Sequence, residues 1–102
     1  GDLDVRIVAD PGRAGPNTVH VYLSRGDRSA TADQVRLSAV NADADIGPIS
    51  APTTRAEPGH WVAESVPLTA GGDWAVRVIV RRGEFDADDA VVRLRLRGGS
   101  GG

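Results

Sequence analysis

The side chains best suited to chemistry are the two histidines, His20 and His60. Imidazole nitrogens together with carboxylate oxygens suit Cu(II), with an Asp or Glu completing a tetragonal site. The simpler reading is two exposed imidazoles on a protein that holds no metal. A second group is the acidic cluster Glu84, Asp86, Asp88 and Asp89 around Phe85. Carboxylates this close can bind a hard cation such as Ca²⁺. They lack the ligand spacing of an EF-hand, and a solvated loop between the last two strands accounts for them more simply. A third feature is the positive stripe Arg93, Arg95 and Arg97, joined by Arg77 and Arg81 if the last two strands pair. It reads either as a surface for an anionic partner or as edge protection and solubility.

Composition removes several other chemistries. The chain of 102 residues contains no Cys and no Met. Disulfides, zinc–thiolate centres, iron–sulfur clusters and thiol nucleophiles are therefore excluded, as are the soft sulfur ligands that Cu(I) prefers. All 12 basic residues are Arg, which excludes Schiff-base lysine chemistry. The net charge of −2 carries no nucleic-acid footprint and no polybasic membrane arm. The motifs G-x-S-x-G, H-E-x-x-H, G-x-G-x-x-G and the phosphate-binding P-loop are all missing, so the expectation is a non-catalytic protein. No apolar run reaches the length of a membrane span. Gly1 and the Gly-rich end look like the edges of a segment excised from a longer protein. The expected division is one domain over 1–97 and a flexible Gly/Ser tail over 98–102.

The elements that must position these residues are strands. Apolar and polar residues alternate with period two: Leu3, Val5 and Ile7 against Asp4 and Arg6; Val19, Val21 and Leu23 against Thr18, His20 and Tyr22; Val35, Leu37 and Ala39 against Gln34, Arg36 and Ser38. The same pattern runs through Trp74, Val76, Val78 and Val80 and through Val92, Leu94 and Leu96. Further strands are expected over 60–66 and, shorter, over 46–50. Asp10-Pro11-Gly12, Gly15-Pro16-Asn17, Arg25-Gly26-Asp27, Glu57-Pro58-Gly59 and Gly71-Gly72-Asp73 punctuate the pattern as turns, and Arg82-Gly83 as a reversal or bulge. Thr31–Gln34 allows at most one helical turn. The fold class is therefore all-β: an immunoglobulin-like antiparallel β-sandwich of about seven strands, with Trp61 and Trp74 as core fillers. His20 faces solvent because Val19 and Val21 take the core. His60 faces solvent if Trp61 points inward. In such a sandwich their strands are neighbours in one sheet and the two imidazoles share a surface, although the register does not clearly set them opposite each other.

A broader pattern joins these pieces. Asp10-Pro11-Gly12-Arg13-Ala14-Gly15-Pro16-Asn17, then Val19-His20-Val21-Tyr22-Leu23, resembles the opening of the extracytoplasmic C-terminal domain of copper-resistance D (CopD) type membrane proteins, the YtkA-like/FixH-like group. Asp45-Ile46-Gly47-Pro48 resembles that family's segment after the third strand. Pro58-Gly59-His60-Trp61, Leu68, Gly72-Asp73-Trp74 and Val76-Arg77-Val78 resemble its second half, and Arg81 to Asp86 its last loop. In this order the similarity runs from Asp10 to Leu96. It implies an outward-facing β-sandwich carried by a copper transport or resistance membrane protein. The implied partners are the membrane-embedded remainder of that protein or an envelope copper carrier. The implied metal is Cu(II), with His20 and His60 as ligands because both fall inside matching motifs. The methionine- and histidine-rich copper sites of some relatives are missing here. The expected isolated domain is an extracytoplasmic monomer; the competing expectation is a structural or protein-interaction domain without metal.

Overall fold

The computed structural model describes residues 3–84 and 86–98. Strands β1 (Asp4–Asp10), β2 (Gly15–Arg25), β3 (Arg28–Ser29), β4 (Gln34–Asn41), β5 (Ile46–Pro52), β6 (Thr54–Glu57), β7 (His60–Leu68), β8 (Gly72–Arg82) and β9 (Asp86–Leu96) form among these residues, with no helix. They build two sheets with all ladders antiparallel. One has the order β1-β2-β7-β6, with β3 paired to the end of β2. The other has the order β5-β4-β8-β9. This is an immunoglobulin-type sandwich, with one strand added to the smaller sheet of the constant-type arrangement.

The period-two pattern holds because each buried face is nearly continuous. Val19, Val21 and Leu23 of β2 and Trp61, Ala63, Val66 and Leu68 of β7 face Val35, Leu37 and Ala39 of β4 and Trp74, Val76, Val78 and Val80 of β8. Trp74 is fully buried, and its indole N–H donates to the Ala70 carbonyl at 2.9 Å. Slipping any of these strands by one residue would carry its apolar set into water, so burial fixes which residues face out.

Three details differ from the sequence reading. The two strands it lacked are the shortest: β3 has two residues and β6 has four, all exposed, so neither displays an alternation. Thr31–Gln34 makes no helical turn. The Asp33 N–H donates to the Arg81 carbonyl at 2.8 Å and Gln34 already pairs with Arg81, so the chain is captured by β8 as it enters β4. The acidic residues Asp86, Asp88 and Asp89 do not lie in a loop. They belong to β9, opposite Arg82, Val80 and Ile79 of β8. Phe85 and the tail residues 99–102 lie outside the described residues.

Two buried asparagines hold the loops. Asn17 is 1% exposed; its carboxamide oxygen accepts from the Gly12 N–H at 2.8 Å, and its nitrogen donates to the carbonyls of Arg13 at 2.9 Å and Gly15 at 3.0 Å. One side chain thereby satisfies three backbone groups of the β1–β2 connection. That connection reaches the other sheet: Arg97 N–H donates to Gly12 and Ala14 N–H to Arg97, at 3.1 and 3.0 Å. Asn41 does similar work, donating to Gly71 and accepting from Ala44. Replacing Asn17 by Ala removes all three of these part-buried bonds and empties a buried position. A loss of about 2–3 kcal/mol in urea unfolding is expected; a loss below about 0.5 kcal/mol would show that the turn stands without it.

Candidate metal site

Two rows across the strands on the outer face of the first sheet contain the histidines. Registers β1–β2, β2–β7 and β6–β7 place Arg6, Tyr22, His60 and Glu57 in one row. The adjacent row contains Val8, His20, Val62 and Thr54. His20 and His60 are therefore diagonal neighbours on β2 and β7. Both point outward because the residues beside them are pulled in: Val21 is completely buried and Trp61 is 6% exposed. The sequence expectation that the two rings share one exposed face is met.

The rings converge. His20 Nδ1 and His60 Nε2 are 3.0 Å apart, and the ring centroids lie 5.2 Å apart with planes inclined at 29°. At this distance one ring donates N–H to the lone pair of the other, with the tautomers deciding the direction. Tyr22 lies against His60 with centroids at 4.5 Å and planes at 14°, and the Arg6 guanidinium sits 4.8 Å from the Tyr22 ring centroid. The result is a continuous stack from Arg6 through Tyr22 and His60 to His20. It restricts the imidazoles to a narrow range of orientations. The His60 side chain is 18% exposed, and on its far side Nδ1 lies 3.9 Å from a Glu57 carboxylate oxygen. That separation is too long for a hydrogen bond, so the carboxylate lies beside the ring without holding its second N–H. A groove of about 520 Å³, lined by Asp4, Arg6, Tyr22 and Glu57 among others, leads to His60 from solvent.

The site includes three residues that the sequence reading did not single out, Arg6 and Tyr22 in the stack and Glu57 beside it. Tyr22 shares the face of His20 by period two alone. Arg6 and Glu57 join only through cross-strand register, which no local spacing reveals. The expectation that an Asp or Glu completes a tetragonal site on the same ion is not met. Among the described residues no group of three His, Cys, Asp or Glu side chains converges, and Glu57 approaches the ring nitrogen that faces away from His20.

The other charged features resolve into each other. Arg77 pairs with Asp89 at 3.6 Å, Arg95 with Asp73 at 3.0 Å, and Arg82 with Asp86 at 3.6 Å and with Asp88. Arg25 adds a contact to Asp88 at 3.7 Å. The hairpin register thus sets carboxylates of β9 beside guanidinium groups, which accounts for those aspartates without a hard cation. Scans against protein-family models, curated proteins and solved structures each return no match.

The entry of His60 into the sheet depends on Gly59. Gly59 has φ of +77°, and a Cβ there would sit 2.8 Å from the Leu23 carbonyl oxygen and 2.9 Å from Ser29 Cβ. Its own carbonyl accepts from the Leu23 N–H at 2.8 Å. Gly59→Ala is expected to cost about 1–3 kcal/mol in thermal unfolding and to move the imidazole resonances of His60 in NMR spectra. Unchanged melting and unchanged resonances would show that the turn does not fix this ring.

Proposed function

We propose that the chain is a non-catalytic extracytoplasmic module of a copper transport or resistance membrane protein, and that it takes Cu(II) on His20 and His60. The observation that carries this reading is the convergence of His20 Nδ1 and His60 Nε2 to 3.0 Å on a solvent-facing sheet surface. Two nitrogens bound at about 2.0 Å and at a right angle on one ion lie about 2.8 Å apart. Linear two-coordinate binding would separate them by about 4 Å by the same bond length. A tetrahedral ion with the same bonds would set them about 3.3 Å apart, so the 3.0 Å spacing disfavours linear binding and accommodates tetragonal Cu(II). The absence of Cys and Met removes the sulfur donors that favour Cu(I). The ordered motif similarity from Asp10 to Leu96 supports the same assignment.

The chemistry of such a site follows from its small donor set. Two imidazoles hold two positions of the ion. The remaining positions stay open to water or to side chains of a copper carrier or of the membrane-embedded part of the same protein. An ion so bound exchanges more readily than one in a closed four-ligand cage. The module would receive or pass on copper without changing it.

A second reading, an interaction or structural domain without metal, is favoured by one specific observation. The His–His hydrogen bond and the Arg6–Tyr22–His60–His20 stack already give both rings partners. Arg77 and Arg95, two of the five arginines of the stripe, are paired with Asp89 and Asp73, which reduces the positive surface for an anionic partner.

Titration of the metal-free protein with Cu(II), followed by calorimetry and EPR, separates the two readings. The expected result is one Cu(II) with nitrogen hyperfine structure. Affinity should fall roughly 100-fold or more in His20→Ala and in His60→Ala, while the metal-free variants lose only about 1 kcal/mol of stability. Equal Cu(II) affinity in all three proteins, or none in any, would leave the scaffold reading.

A further inference from the structure

The histidine pair supplies half of the ligands of a four-coordinate metal site. Two imidazoles converge, and no third His, Cys, Asp or Glu among the described residues joins them. Zn(II) in a structural site takes four ligands in a tetrahedron. The surface around the pair is complementary to itself. Arg6 on β1 and Glu57 on β6 stand at opposite ends of the row that contains His60, and His20 and His60 lie on the two central strands. A two-fold axis along the strands, between β2 and β7, would lay β1 of one copy over β6 of the other. Arg6 would then face Glu57 of the second copy in the same row, twice by symmetry. Between these pairs Tyr22 would face His60, Val62 would face His20, and Val8, 45% exposed, would face Thr54.

We infer that His20 and His60 form half of a four-imidazole Zn(II) site that a second copy of this chain completes through the same sheet face. The inference rests on these two imidazoles being ligands, as in the proposed function, and not on copper. The register decides the geometry. Strands about 4.8 Å apart and alternate residues about 6.7 Å apart incline the His20–His60 diagonal by about 35° to the strands. The two-fold inclines the second diagonal the other way, so the two cross at about 70°. That is close to the perpendicular pairs of a tetrahedron and far from the coplanar pairs of a square. One Zn(II) between the faces would thus replace the His–His hydrogen bond of each copy with two metal bonds. The charged rim would select this docking over one with the axis across the strands, which brings Arg6 over Val8 instead.

The test is sedimentation velocity of the purified chain with zinc chloride. The metal-free protein should sediment as a monomer. Half an equivalent of Zn(II) should convert it to a dimer that EDTA reverses, and His20→Ala and His60→Ala should remain monomeric. Arg6→Glu and Glu57→Arg should each weaken the zinc-dependent dimer about tenfold, and the two together should restore it to within about threefold of the original. A monomer that binds one Zn(II) per chain overturns the inference while leaving the ligand pair intact. Absence of Zn(II) binding overturns it too, and the Cu(II) titration then tells whether the pair binds any metal. Failure of the double charge reversal to recover the dimer overturns the docking geometry and with it the shared site.

Discussion

A residue in a β-strand faces either the core or the solvent, and it cannot be moved to the other side without moving its neighbours. The arrangement of this molecule depends on that constraint at two places. Val19, Val21 and Leu23 sink into the layer between the sheets, and so do Trp61 and Ala63. Each of these burials forces its neighbour outward. His20 and Tyr22 are expelled from one strand and His60 from the next, and they meet on the far face. The apolar core, with no polar design of its own, is what gathers the imidazoles. Loss of packing at Val21 or Trp61 would disturb the surface stack as directly as a change within it.

Much of this was legible in the residue order, and the reasons for the rest are physical. The valine alternation announces strands, and an antiparallel sandwich is the usual way for short one-faced strands to hide them. The outward direction of His20 follows from two flanking valines. The diagonal contact between the histidines does not follow, because it depends on pairing register. The β2–β7 ladder shifts between Asn17 and Val19, where β7 carries Ser65 at a φ of +54°. One extra residue on one strand is invisible to periodicity, yet it sets which side chains become neighbours. The edge strand β6 was hidden for a simpler reason: all four of its residues face water.

The charged residues of β8 and β9 carry a related lesson. In the sequence the acids form a block and the arginines form a stripe, and each suggests a ligand of opposite sign. Folding the chain back at Gly83 sets the acids of β9 beside Arg77 and Arg82 of β8, and part of the local charge cancels through partly exposed pairs. Such pairs contribute little to stability individually. The arginine stripe itself stays on β9, where Arg95 pairs with Asp73 of β8.

The clamp between the β1–β2 connection and the end of β9 has a mechanical consequence. Gly12 to Ala14 run parallel to Arg97 and exchange two backbone hydrogen bonds with it across the gap between the sheets. Stretching the chain, with β1 drawn back and β9 drawn forward, would load both bonds in shear at once instead of peeling them apart in turn. A sandwich tied in this way transmits tension as a stiff link, and its ring-bearing face would keep its shape under load that would straighten a simple hairpin.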